Sequence, residues 1–169
     1  YRRMSELKAA ELFRLSCYLG ARLSGHVDDF VQAADRFGHH LGIAYQIYED
    51  LADVVGEEQR IGKTLGTDLA TGKLTLPLML LLEYVSPAER VSIAGALSGG
   101  QPLDLAASRQ RMAELGIAGK VVVAIDEELH IASGNLAPFE SLAPVPFMLQ
   151  LCGMLKAQVA SLQTSALVG

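Results

Sequence analysis

From Phe30 to Val55, apolar side chains return at intervals of three and four residues: Phe30, Ala34, Phe37, Leu41, Ala44, Tyr48, Leu51 and Val55. At 3.6 residues per turn these positions line one side of a single long helix, which must bury that stripe to be stable. The spacing predicts a helix from about Val27 to Val55, opened by Asp28 and Asp29 at the positive end of its dipole.

The same period governs the rest of the chain. A first helix is expected from about Met4 to Leu23, with Leu7, Ala10, Leu15 and Leu19 among its apolar positions and Gly25 closing it. Ser86, Pro87, Ala88 and Glu89 have the spacing of a capping box, and the helix they open should stop at Ser98, Gly99 and Gly100. Further helices are expected at about Leu103 to Leu115 and Ile117 to Ser133, broken by Gly116, and at Phe147 to Leu162 after the proline-punctuated residues 134–146. The one β-branched cluster, Val121 to Val123, lies inside a helical pattern. The chain is therefore expected to be all-α, a single helical domain over residues 1–169 with no internal repeat.

Half of the 169 residues are hydrophobic, enough to bury a sizeable core. The formal charge of −5 excludes a general electrostatic grip on nucleic acid, which needs lysine and arginine clustered over a whole face. Any basic site must be local. The apolar run from Leu76 to Leu82 is far shorter than the ~20 residues that cross a bilayer, and the run from Val145 to Leu155 is interrupted by Gln150, so no membrane span is expected. No basic segment followed by an apolar one opens the chain, and Cys17 and Cys152 make no disulfide framework. The expected setting is cytoplasmic, with both thiols reduced.

With Tyr48 set at zero, a step of 100° per residue places Glu49, Asp53, Gln46 and Asp50 at roughly 100°, 140°, 160° and 200°, one face opposite the apolar stripe. Acids so spaced ordinarily make a solvated face. Here no lysine or arginine lies between Arg36 and Arg60, so the carboxylates lack a local counter-charge and a cation from elsewhere would relieve them. Carboxylates without histidine or cysteine suit a hard cation, and Mg²⁺ takes one or two of them and completes its shell with water and phosphate oxygens. The aperiodic stretch that follows, residues 56–73, carries Lys63 and Lys73 among glycines, a setting in which backbone can approach a phosphate. Thr75, before Leu76 and Pro77, is the expected N-cap of the next helix. Elsewhere, His39 and His40 are expected to be a surface pair and Asp126 to His130 an exposed face.

The order of these residues is similar to a known pattern. Tyr45-Gln46-Ile47, Glu49-Asp50-Leu51-Ala52-Asp53, Gly62-Lys63, Gly66, Asp68-Leu69, Gly72-Lys73 and Thr75-Leu76-Pro77 resemble the second aspartate-rich region of trans-isoprenyl diphosphate synthases, the polyprenyl synthetase family. The segment from Tyr1 to Phe13 resembles the stretch that in this family carries a Lys-Thr pair, which puts the lysine at Lys8. The resemblance implies an all-α bundle around a central cavity, present here as a partial bundle, and a Mg²⁺-dependent prenyltransferase that condenses isopentenyl diphosphate with an allylic diphosphate. It implies that Glu49, Asp50 and Asp53 serve the metal, with Asp68 acting through a water. Lys8, Lys63 and Lys73 would serve the diphosphates, Gln46 the reacting region, and Lys8, Gln46 and Lys63 the catalytic step. Homodimerisation is the family habit.

The chain resembles only the carboxyl-terminal part of the family. An earlier D-D-x-x-D motif with paired arginines is absent; Asp28 to Asp35 has the wrong spacing, so the 169 residues alone are expected to be inactive. Glu49 stands at the leading aspartate position, Ala9 replaces the threonine of the Lys-Thr pair and Tyr45 replaces a phenylalanine. These departures leave two other readings open: a degenerate, non-catalytic subunit or regulatory partner of a synthase, and a terpene cyclase.

Overall fold

A computed structural model describes residues 9–56, 65–99 and 103–166. Among them every regular element is a helix: α1 (Glu11–Leu23), α2 (Asp28–Val55), α3 (Thr67–Ala70), α4 (Leu76–Tyr84), α5 (Pro87–Ser98), α6 (Leu105–Glu114), α7 (Ile117–Leu136), a 3₁₀ turn (Ala137–Phe139) and α8 (Val145–Ala166). The described chain divides into two compact units, one built mainly from Glu49–Val122 and the other from residues up to Tyr48 together with Val123–Ala160.

In the first unit, α4 packs against α5 and α6, burying Leu78 and Leu81. The capping box at the start of α5 is formed. The Ser86 hydroxyl accepts from the Glu89 N–H at 3.3 Å, and the Glu89 carboxylate accepts from the Ser86 N–H at 3.0 Å. Arg111 of α6 adds an ion pair to Glu89 at 2.9 Å. The Ser86 donors and this guanidinium together hold the Glu89 carboxyl down at about 2. Asp104 caps α6 by accepting from the Ala107 N–H at 3.0 Å, a signal that moves the start of α6 two residues past the Leu103 expected from periodicity.

In the second unit, α1 crosses α2 at very short range. A Cβ on Gly42 would lie 2.5 Å from the Ala10 Cα, and one on Gly38 would lie 2.6 Å from the Phe13 carbonyl oxygen, so glycine at both positions is what permits the approach. Arg14 of α1 pairs with Asp35 of α2 at 2.8 Å, and the rings of Phe13 and Tyr45 meet at 5.4 Å. On α8, Val145, Cys152, Leu155 and Val159 are buried at helical spacing.

Several expectations need correcting. The Asp126 to His130 segment is not wholly an exposed face: Glu128 is buried and its carboxylate lies 2.7 Å from Nδ1 of His40, because α7 turns that position toward α2. His40 is accordingly a half-buried hydrogen-bonding group and not a surface residue. Thr75 has the extended backbone of an N-cap but its side chain caps nothing; the Oγ1 is buried without a hydrogen-bond partner. The last helix starts at Val145, and its stretch Val145–Leu162 is, by length and composition, long and apolar enough to cross a membrane, which the interruption at Gln150 does not prevent. The Met4–Lys8 part of the expected first helix and Lys63 lie outside the described residues. Both cysteines are free thiols, and burial pushes the Cys17 thiol up to about 11.

Candidate diphosphate and metal site

The carboxylates at the end of α2 are not on a solvated face. Asp50 and Asp53 are only 3% and 4% exposed, while Gln46 and Glu49 are half-buried. A buried carboxylate must be answered by hydrogen bonds or opposite charge, and the turn after α2 supplies both. One oxygen of Asp53 accepts from the Thr67 hydroxyl at 3.2 Å and the other from the Asp68 N–H at 3.0 Å. The main chain of Asp53 is held as well. Its carbonyl accepts from the Gly66 N–H at 2.9 Å and from Nη2 of Arg109 at 3.4 Å.

Gly66 makes this turn possible. Its φ of +77° lies in the left-handed region that favours glycine, and it opens the short helix α3, on which Thr67 and Asp68 stand. The second half of the turn brings Lys73 back to the acids. Its N–H donates to the Asp68 carbonyl at 2.8 Å, and its ammonium lies 2.6 Å from the Asp68 carboxylate and 3.6 Å from that of Asp50. A counter-charge that the acidic end of α2 lacks among its neighbours in sequence thus comes from Lys73.

Of the residues singled out from the sequence, Asp50, Asp53, Asp68 and Lys73 come together in one unit. Gln46 belongs to the other unit, and Lys8 and Lys63 lie outside the described residues. Among the described residues no group of three histidine, cysteine, aspartate or glutamate side chains is assembled to hold a metal. The donor chemistry nevertheless fits a hard cation. All the acids offer oxygen, Mg²⁺ needs only one or two carboxylates from a protein, and an ionised carboxylate has about four lone-pair sites, of which Asp53 commits two to Thr67 and Asp68. Sequence reasoning missed Thr67 and Arg109. Thr67 directly follows the motif glycine Gly66, whereas nothing local marks Arg109.

Residues 1–113 match the family described as Polyprenyl synthetase. The chain belongs to the polyprenyl synthetase family. Among its relatives in this family, it is 38% identical over 99 residues to heptaprenyl diphosphate synthase component 2 of Geobacillus stearothermophilus, covering 59% of this chain and 30% of that protein. It is 41% identical over 88 residues to geranylgeranyl diphosphate synthase of Mycobacterium tuberculosis, covering 52% of this chain and 25% of the relative. A polyprenyl synthase of Caulobacter crescentus, solved in complex with calcium and isoprenyl diphosphate, superposes with a TM-score of 0.85 at 25% identity, over 92% of this chain and 48% of that one. The chain thus spans about half the length of the solved structure it matches, with the all-α fold of that family.

Proposed function

We propose that this chain contributes the diphosphate-holding acid and lysine cluster of a prenyltransferase that joins isopentenyl diphosphate to an allylic diphosphate, acting as the carboxyl-terminal portion of a longer synthase. The observation that carries this reading is the meeting of Asp50, Asp53, Asp68 and Lys73 in one network, with Asp50 and Asp53 buried and Asp68 and Lys73 half-buried. Glu49, Asp50 and Asp53 would hold Mg²⁺, with Asp68 acting through a water. The bound ion supplies positive charge where the leaving diphosphate accumulates negative charge.

The chain's own residues do the rest. Lys73, on the short tether between Gly72 and Thr75, offers its ammonium to a phosphate oxygen, as would Lys63 and Lys8. Thr67 and the Asp68 N–H keep the Asp53 carboxylate from swinging away when its charge is needed. Gln46 would serve the reacting region in this reading. A homodimer in the cytoplasm is the accompanying proposal.

A test joins binding to turnover. The chain should bind inorganic diphosphate saturably in calorimetry when Mg²⁺ is present, and D50N/D53N should abolish the binding. In its complete reading frame it should elongate an allylic diphosphate; absence of elongation with every allylic primer would sink the catalytic reading.

A second reading is favoured by the lysine already seated on the acids and by the glutamate at position 49. In it the chain is a non-catalytic partner that shapes a synthase's product. That reading predicts no Mg²⁺-dependent binding of diphosphate by the chain, together with an altered product length when the chain is added to an active synthase.

A further inference from the structure

We propose that Arg109 is a positioning residue for the acid cluster, tying α6 to the main chain of Asp53 and so fixing the carboxylates; the inference rests on the function proposed above. The last turn of a helix leaves carbonyls without intrahelical partners and gathers the negative end of the dipole. In α2 that turn holds Asp53 and contains no basic residue of its own. Two donors from outside the helix meet at the Asp53 carbonyl, whose two lone pairs accept the Gly66 N–H at 2.9 Å and the Arg109 guanidinium at 3.4 Å.

Arg109 stands 56 residues beyond Asp53, outside the acid and lysine motif. It lines a cavity of about 750 Å³ walled by Leu51, Val54, Pro77, Met112 and Ile117. The guanidinium therefore reaches Asp53 alongside apolar residues of α2, a route that leaves the carboxylate oxygens to Thr67 and Asp68. Gly66 is fitted to it: a Cβ there would lie 3.1 Å from Nη2, so a side chain at position 66 would crowd the guanidinium at its contact with the carbonyl. The arrangement locks three things to one atom, the end of the acid helix, the start of the glycine turn and α6. Because Asp68 and Lys73 follow Gly66 on the same turn, loosening the carbonyl loosens the cluster.

The test compares R109M, which keeps the bulk and removes the donors and charge, with R109K, which restores a cation that can donate. Amide hydrogen exchange is read at Gly66 and Asp68, with Glu89 in the α5 capping box as a control, and calorimetry reads binding of Mg²⁺ with inorganic diphosphate. In R109M the Gly66 and Asp68 amides should exchange about tenfold faster with Glu89 unchanged, and diphosphate affinity should fall about three- to tenfold. R109K should recover most of both. Unchanged exchange at Gly66 and Asp68 in R109M overturns the proposal, as does equal acceleration at Glu89, which would make Arg109 a general stabiliser. Faster exchange with unchanged affinity overturns the link to ligand. If the unsubstituted chain binds no diphosphate, the function proposed above fails instead, and the exchange measurement still decides the contact.

Discussion

The ammonium of Lys73 stands 2.6 Å from the carboxylate of Asp68 in the acid cluster. The residue proposed above to serve phosphate is, in the structure, a counter-charge to Asp68 and Asp50. Replacing it with methionine removes one partner from Asp68 and one from the buried Asp50. K73M is expected to lower unfolding stability by about 1–3 kcal/mol, seen as a lower urea midpoint at constant slope. Added Mg²⁺ should raise the midpoint more in K73M than in the parent; an unchanged midpoint in K73M would count against the pairing.

Asp53 separates geometry from charge. An asparagine there can still accept one of the two donors, Thr67 or the Asp68 N–H, whereas alanine leaves both without their acceptor. D53A should therefore cost about 1–3 kcal/mol in urea unfolding and D53N clearly less. Both should weaken Mg²⁺-dependent diphosphate binding by at least about tenfold, the usual scale for loss of a metal ligand or its support. Equal stability of the two variants would show that the Thr67 and Asp68 bonds contribute nothing.

The capping box carries its own pH signature. The Glu89 carboxyl is depressed from the ordinary 4.5 to about 2, so its contribution is fully present above about 4.5 and is lost as pH falls toward 2. Unfolding monitored between those values should show stability dropping with acid, and E89Q should flatten that part of the curve. A carboxyl carbon titration of Glu89 with an ordinary midpoint would refute the assignment.

Gly42 fixes how closely α1 approaches α2. An alanine methyl would have to fit 2.5 Å from the Ala10 Cα, so one of the helices must shift. G42A should destabilise by about 1–3 kcal/mol, read as a drop in thermal midpoint, although alanine is the better helix former. A stability gain would mean that the two backbones are not in contact.

Much of this was legible in the sequence because it is written locally. The stripe from Phe30 to Val55 gave α2 to within a residue at its start, and Ser86 with Glu89 gave the α5 cap, since both depend on neighbours within a few turns. The order of the acids, Gly66, Asp68 and Lys73 pointed to a joint role for residues that do meet. What stayed hidden depends on distant partners. Glu128 reads as one acid in an exposed run until α7 sets it beside His40, 88 residues away, and nothing near the exposed Arg109 in sequence points to the Asp53 carbonyl that its guanidinium meets, 56 residues away. Thr75 misled because its backbone obeys the capping rule while its buried hydroxyl makes no capping bond.

Since Lys73 already occupies the acids, loading the proposed site is an exchange of cations and not a simple addition. Mg²⁺ arriving alone must compete with a tethered ammonium that cannot diffuse away. A diphosphate that draws Lys73 toward itself frees Asp50 and Asp68 for the metal. Thermodynamic linkage then requires the reverse as well, each ligand raising the other's affinity by one common factor, of the order of 5- to 150-fold for couplings of this kind. On the function proposed above, the lysine would make the site reluctant toward either ligand alone and receptive to the two together.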